Sequence, residues 1–227
     1  MNKVIEIKNL KKNFFNNNLN IKVLNNVNFT FKKGELVALL GPSGSGKSTF
    51  LNLIGLIEKP TSGKIFLNGE NTQNFNETKV NHLRQKKISI IFQNNNLMSD
   101  FTVLENISLP LLIRGIEKKQ AIDKSKNVLK KFGLNSRENH FPSDLSGGEQ
   151  QRVAIARSVI AETDIILADE PTGNLDKKNA IDVINYFKIL KKLKKIIIFA
   201  THNRELANKA DYKLSINDGT IKRENAK

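Results

Sequence analysis

At 227 residues the chain is long enough for one large domain, or one domain with a subdomain, and can bury a substantial core. It has no cysteine, which excludes disulfides, thiolate metal sites and a catalytic thiol and fits a reducing cytoplasm. The formal net charge is +15, yet only seven of the 37 basic residues are Arg, and the remaining 30 Lys are matched by 30 Asn. That composition reads as solvated lysine spread along the chain, with no Arg-rich, aromatic-interleaved face for nucleic acid. Part of the excess would suit an anionic membrane leaflet. No secretory leader opens the sequence and no apolar run is long enough to span a bilayer, so work at a membrane is expected to pass through a partner.

Val4-Ile5-Glu6-Ile7 alternates as a strand, and Val27, Phe29 and Phe31 alternate again ahead of a Lys33-Gly34 turn. An Asn-rich loop, Asn16-Asn17-Asn18, lies between them. Leu36-Val37-Ala38-Leu39-Leu40 has the composition of a strand buried on both faces. It runs into Gly41-Pro42-Ser43-Gly44-Ser45-Gly46-Lys47-Ser48-Thr49, which fills every fixed position of the phosphate-loop pattern. Phe50, Leu53, Ile54 and Ile57 then recur at helical spacing until Pro60 forbids continuation.

Strand, glycine loop and helix start form an anion cradle, because the glycines let backbone N–H groups converge and the helix dipole adds to them. In that cradle Lys47 is expected to reach the β- and γ-phosphates of ATP, and Ser48 to take one position on Mg²⁺. Ile65-Phe66-Leu67, closed by Asn68-Gly69, reads as a short strand and tight turn. The first third of the chain is thus expected to be antiparallel strands with one helix.

Ile88 to Phe92 is a further apolar strand ending at Gln93. From Asn94 to Leu145 the apolar spacing becomes helical (Val103, Ile107; Ile122, Val128, Leu129, Phe132), which predicts a helical subdomain inserted into a nucleotide-binding core. Ser146-Gly147-Gly148 opens a helix buried through Val153, Ala156 and Ile160. Ile165 to Ala168 is a buried strand leading into Asp169-Glu170; a helix with Ile181, Ile184 and Phe187 inward follows, then a strand over 196–200 ending at Thr201-His202. Lys213 to Lys222 reads as a hairpin around Asn217-Asp218-Gly219.

Buried strands alternating with helices predict an α/β fold: a mainly parallel sheet with an antiparallel β subdomain and the helical insertion. Residues 1–93 and 161–227 would form the core, and 94–160 the insertion. Gly41, Gln93, Asp169 and His202 each lie just past a strand, where ligands of such sheets sit. Asp169, costly at the end of an apolar strand without a cation, is expected on Mg²⁺. Glu170 is the candidate general base for water attacking the γ-phosphate. Gln93 is a candidate for the metal or the γ-phosphate, and His202 for a hydrogen bond to that phosphate. Phe14 is a candidate to stack on adenine, with a plain core aromatic as the alternative.

Together these residues resemble the ATP-binding cassette family over nearly the whole chain. The deciding motif is Leu145-Ser146-Gly147-Gly148-Glu149-Gln150-Gln151-Arg152, similar to the cassette signature, with Gln93 before it and Asp169-Glu170, Gly173-Asn174-Leu175-Asp176 and His202 after it. Phe14 stands where many members carry Tyr against adenine, and Val23 would pack beside it. The resemblance implies a head-to-tail dimer with each ATP between Lys47 of one copy and Ser146, Gly147, Gly148 and Gln150 of the other. It also implies an integral membrane permease as partner and a peripheral place on the cytoplasmic face of the inner membrane. Asp169 to Asp176 looks most like the branch holding lipoprotein-releasing exporters, macrolide-efflux ATPases and the cell-division cassette, and the segments at 104–112 and 139–146 are similar to the lipoprotein-releasing members. A regulatory cassette that moves no cargo, or a soluble nucleic-acid-associated one, are the other readings. The latter lacks the long coiled-coil insertion, zinc cysteines or second cassette that such proteins carry.

Overall fold

The chain opens on an antiparallel ribbon, in a computed structural model that describes residues 3–16 and 19–225. Strands β1 (Lys3–Asn16) and β2 (Leu19–Lys32) pair with register shifts around residues 7–13. Asparagine absorbs these irregularities. Asn9 and Asn26 adopt left-handed backbone (φ 49° and 53°), which asparagine tolerates better than most residues, and Asn28 Oδ1 accepts from the Asn9 N–H at 2.8 Å. Asn17 and Asn18 of the expected loop lie outside the described residues, while Asn16 closes β1.

Strand β3 (Leu36–Leu40) leads through the glycine loop to α1 (Lys47–Ile54). The helix stops sooner than its apolar spacing predicts. Gly55 caps it, Leu56 turns left-handed (φ 57°), and Ile57, expected on the buried stripe, is 40% exposed. The end is a local cap: around left-handed Leu56 the Ile57 N–H turns back to donate to Asn52 O at 2.9 Å and the Leu56 N–H to Leu53 O at 3.2 Å, so Pro60 terminates nothing.

Strands β4 (Ser62–Leu67) and β5 (Glu70–Asn71) are joined by Asn68-Gly69, both left-handed (φ 50° and 87°) as a hairpin turn requires. A second helix, α2 (Glu77–Lys87), follows just past the first third, where the sequence reading gives no element. It buries none of its residues, so it carries no apolar stripe to read.

β4 begins beside β1 at an unusually close approach. Gly63 has φ 86°, and a Cβ there would fall 2.3 Å from Asn9 O and 2.6 Å from Leu10 Cα, all backbone that cannot swing aside. Gly63→Ala is expected to cost about 3 kcal/mol, overpacking and left-handed strain combined. Gly69→Ala, at φ 87° with open space around it, bears only the backbone part, roughly 1 kcal/mol. Urea unfolding of the two variants checks the difference.

Strand β6 (Ile88–Ile91) precedes three helices, α3 (Val103–Ile113), α4 (Lys118–Lys131) and α5 (Gly147–Ile160). They enclose their own apolar cluster, including Val103, Ile107, Leu129, Val153 and Ala156. Phe132 falls just beyond α4 and packs on Tyr186 with ring centroids 4.8 Å apart. Then follow β7 (Ile165–Asp169), α6 (Lys177–Lys192), β8 (Ile196–Ala200), α7 (Arg204–Ala207), β9 (Tyr212–Asn217) and β10 (Thr220–Asn225).

The strands make two sheets: four antiparallel strands in the order β2-β1-β4-β5, and six in the order β10-β9-β3-β8-β7-β6. In the six-stranded sheet every join is parallel except β10 with β9 at the edge. Side chains of β3 divide between its faces as a strand's period of two dictates. Val37 and Leu39 join the core against β1, β2 and α1, and Leu36 and Ala38 the core against α6. This is the expected α/β architecture, with the carboxyl ends of β3, β6, β7 and β8 along one edge.

Candidate active site

A cleft of about 500 Å³ lies along that edge. Val23, Ser43, Gly44, Gly46, Lys47, Ser48, Thr49, Gln93, Asp169, Glu170 and His202 line it, so residues spread over 180 positions of sequence meet in one place. Their meeting follows from parallel strands, which deliver each strand end to the same edge.

The glycine loop is built by its dihedrals. Gly46 caps α1 at φ 99°, and a Cβ there would meet Val23 Cγ1 at 2.8 Å, so the antiparallel sheet presses directly on the loop. No side chain caps α1, which leaves the amides of its first turn, at Lys47, Ser48 and Thr49, for an anion. Gly41 and Pro42 do not line the cleft; their carbonyls accept from Lys47 Nζ, each at 2.9 Å, and hold the ammonium over the loop. Ser45 turns inward instead, its Oγ buried without a partner beneath Gly41.

Across the cleft, Asp169 ends β7 and Glu170 follows with a left-handed backbone (φ 47°), its N–H donating to Ala200 O at 3.1 Å. That conformation is costly for a residue with a long side chain, and it re-aims the carboxylate. Glu170 Oε1 lies 3.1 Å from His202 Nδ1, whereas Oε2 is buried with no hydrogen-bond partner among the described residues. Glu170 lines the cleft, and a buried carboxylate oxygen without a partner is an acceptor in want of a proton donor such as water.

No cluster of three or more His, Cys, Asp or Glu side chains suited to a metal is found among the described residues. The cleft instead brings together Ser48, Gln93 and Asp169, a small set of hard oxygen donors. Such a set fits Mg²⁺, which takes few protein ligands and fills its octahedron with phosphate oxygens and water.

Phe14 and the signature residues stand elsewhere. Phe14 is on β1, 39% exposed, with Lys12 Nζ 4.7 Å above its ring, and is not part of the cleft wall. Ser146, Gly147, Gly148 and Gln150 open α5, outside their own chain's cleft. Ser146 and Glu149 form a reciprocal cap: the Ser146 N–H and hydroxyl both donate to Glu149 Oε2 at 2.9 Å, and the Glu149 N–H donates back at 3.3 Å. The Ser146 backbone N–H, then its hydroxyl and Arg137, draw the Glu149 carboxyl down to about 2. Gln150 Nε2 is held by Pro142 O at 2.9 Å.

Gly173 and Asn174 also line the cleft, beyond the site residues read from sequence, which gave them only as part of the motif after Asp169-Glu170. The tight turn that puts them there, Gly173 N–H to Glu170 O at 3.1 Å, carries no apolar signal. The neighbouring Leu175 sits against the start of α5, 3.4 Å from where a Gly148 Cβ would be.

Comparisons with known proteins bear on this arrangement. The family model described as ABC transporter matches residues 24–173. The chain is 44% identical to the lipoprotein-releasing system ATP-binding protein LolD of Rickettsia bellii over 97% of its own length and 98% of that protein's. It is 40% identical to the protein of the same name from Syntrophus aciditrophicus, over 96% and 98% of the two chains. Among solved structures, a dimeric ATP-binding cassette in a post-hydrolysis state, bound to ADP and Pi, superposes with a TM-score of 0.94 at 35% identity, over 98% of this chain and 99% of that one.

Proposed function

This chain belongs to the ABC transporter family, and from that footing we propose that it hydrolyses ATP to drive a separate membrane permease that releases lipoproteins from the bacterial inner membrane. One observation carries the ATPase reading. Lys47, Ser48, Gln93, Asp169, Glu170 and His202 share a single cleft, while Ser146 at the head of α5 is not among the residues that line it. A complete triphosphate pocket therefore takes two copies, Lys47 from one and Ser146 from the other.

In this reading the loop amides and Lys47 hold the β- and γ-phosphates. Ser48, Gln93 and Asp169 would hold Mg²⁺, which when bound supplies positive charge against the phosphate oxygens. The unpartnered Oε2 of Glu170 accepts a proton from water as the water oxygen bonds to the γ-phosphorus; the bond to the bridging oxygen breaks, leaving ADP and phosphate. His202 steadies the Glu170 carboxylate through the contact of Nδ1 with Oε1, and its other ring nitrogen is the hydrogen-bond partner assigned to the γ-phosphate. Val23 and Phe14 lie on the side of the antiparallel sheet, where the adenine would rest.

The lipoprotein substrate rests on the relatives' names and their near full-length match. No helix among the described residues is long and apolar enough to cross a membrane, so the reading places the chain at the cytoplasmic face, held there by the permease. Purification of the tagged chain from detergent-solubilised membranes tests this. The expected companion is an integral permease whose reconstitution makes ATP turnover depend on lipoprotein acceptor; recovery with a cell-wall regulator, or with nucleic acid at physiological salt, would replace it.

A further inference from the structure

Arg157 lies deep in α5, and its guanidinium is spent on backbone of another segment. Nη2 donates to Asn95 O and Nη1 to Asn96 O, each at 2.8 Å. No ion pair among the described residues includes it, and burial holds its pKa below the usual arginine value. A half-buried cation without a carboxylate is costly unless its hydrogen bonds do something the fold requires.

What they hold is itself unfavourable. Asn95 and Asn96 are consecutive left-handed residues, at φ 48° and 45°. Two such residues in succession turn their carbonyls to one side, the arrangement a planar guanidinium fork accepts and a single ammonium does not. The Asn95 N–H donates to Phe92 O at 3.2 Å, closing a turn whose first inner residue is Gln93. Asn95 is buried and its Oδ1 has no partner, so the side chain does not secure the turn. Arg157 does.

We propose that Arg157 is a positioning residue for Gln93: by gripping the Asn95 and Asn96 carbonyls it fixes the reach of Gln93 into the cleft relative to α5, the helix that Ser146 begins. The proposal deepens the reading above and rests on the role given there to Gln93. Arg157 also lines a groove with Phe92, Leu109 and Pro110.

The test is a four-cornered cycle of the full chain: wild type, Gln93→Ala, Arg157→Met and the double variant, each measured for kcat and KM of ATP hydrolysis and for thermal midpoint. Arg157→Met is expected to lower kcat about tenfold with KM changed less than about twofold, as loss of an outer support typically does. The double variant should be no slower than Gln93→Ala alone, because one residue acts through the other. Multiplying losses, an unchanged kcat in Arg157→Met, or a matching rise in KM would overturn the proposal. A Gln93→Ala enzyme with wild-type kcat would instead remove the role of Gln93 itself, which the same data separate. Should Arg157→Met not fold, Arg157→Lys keeps stem and charge but not the fork, and the same non-additivity is expected of it.

Discussion

Glu170→Gln is expected to bind ATP as the unaltered chain does, to lose hydrolysis by about 10²- to 10⁴-fold, and to accumulate as an ATP-bound dimer. The loss follows from chemistry at one atom. Glu170 lines the cleft, its Oε2 is buried without a partner among the described residues, and an amide in place of the carboxylate cannot take a proton from water. Retained binding follows from shape, because Gln keeps the volume while removing a negative charge beside the phosphates. The fold-change corresponds to roughly 3–5 kcal/mol of barrier, so a single-turnover assay resolves it easily. Size-exclusion chromatography with saturating nucleotide and magnesium reads the dimer. Turnover at the wild-type rate would take Glu170 out of its role, and a strictly monomeric variant would remove the two-copy pocket.

Ser146→Arg should be nearly as severe by a different route. Ser146 is exposed at the head of α5 and does not line its own chain's cleft, so the change is expected to leave nucleotide binding to the single chain intact. A long cation in place of a short hydroxyl obstructs closure against a second copy. Turnover is expected to fall about 100-fold or more, the scale of losing transition-state contacts. Lys47→Ala, by contrast, weakens nucleotide binding itself. Mixed in equal amounts, the two variants can form one dimer type with a single intact composite site, and two-fold symmetry limits recovery to about a quarter of wild-type activity. Full turnover by Ser146→Arg alone would exclude the shared pocket.

Much of this site is legible from sequence because its parts sit at places where local pattern is strong. A buried strand, a glycine loop and an amphipathic stripe bracket Lys47 and Ser48, and apolar strands end at Asp169 and two residues before His202. The signature is readable as a serine-capped helix start, and the structure supplies the Ser146–Glu149 cap that such a start calls for. Where the reading fails, burial and local pattern part company. α2 buries none of its residues and gives little period to detect. Ile57 continues a helical spacing that the left-handed cap at Leu56 cuts short. Arg157 looks like any arginine on a helix, since its partners are backbone carbonyls about sixty residues earlier.

The left-handed backbone at Glu170 has a consequence for how this protein can change. A glutamate held at φ 47° stores strain of about 1–3 kcal/mol, and glycine or asparagine at that position would relieve it. Lineages adapting to heat thus meet opposed pressures at one codon: the sturdier chain is the idle one. Robustness has to be gathered elsewhere, and long-surviving inactive copies of the gene should drift there first.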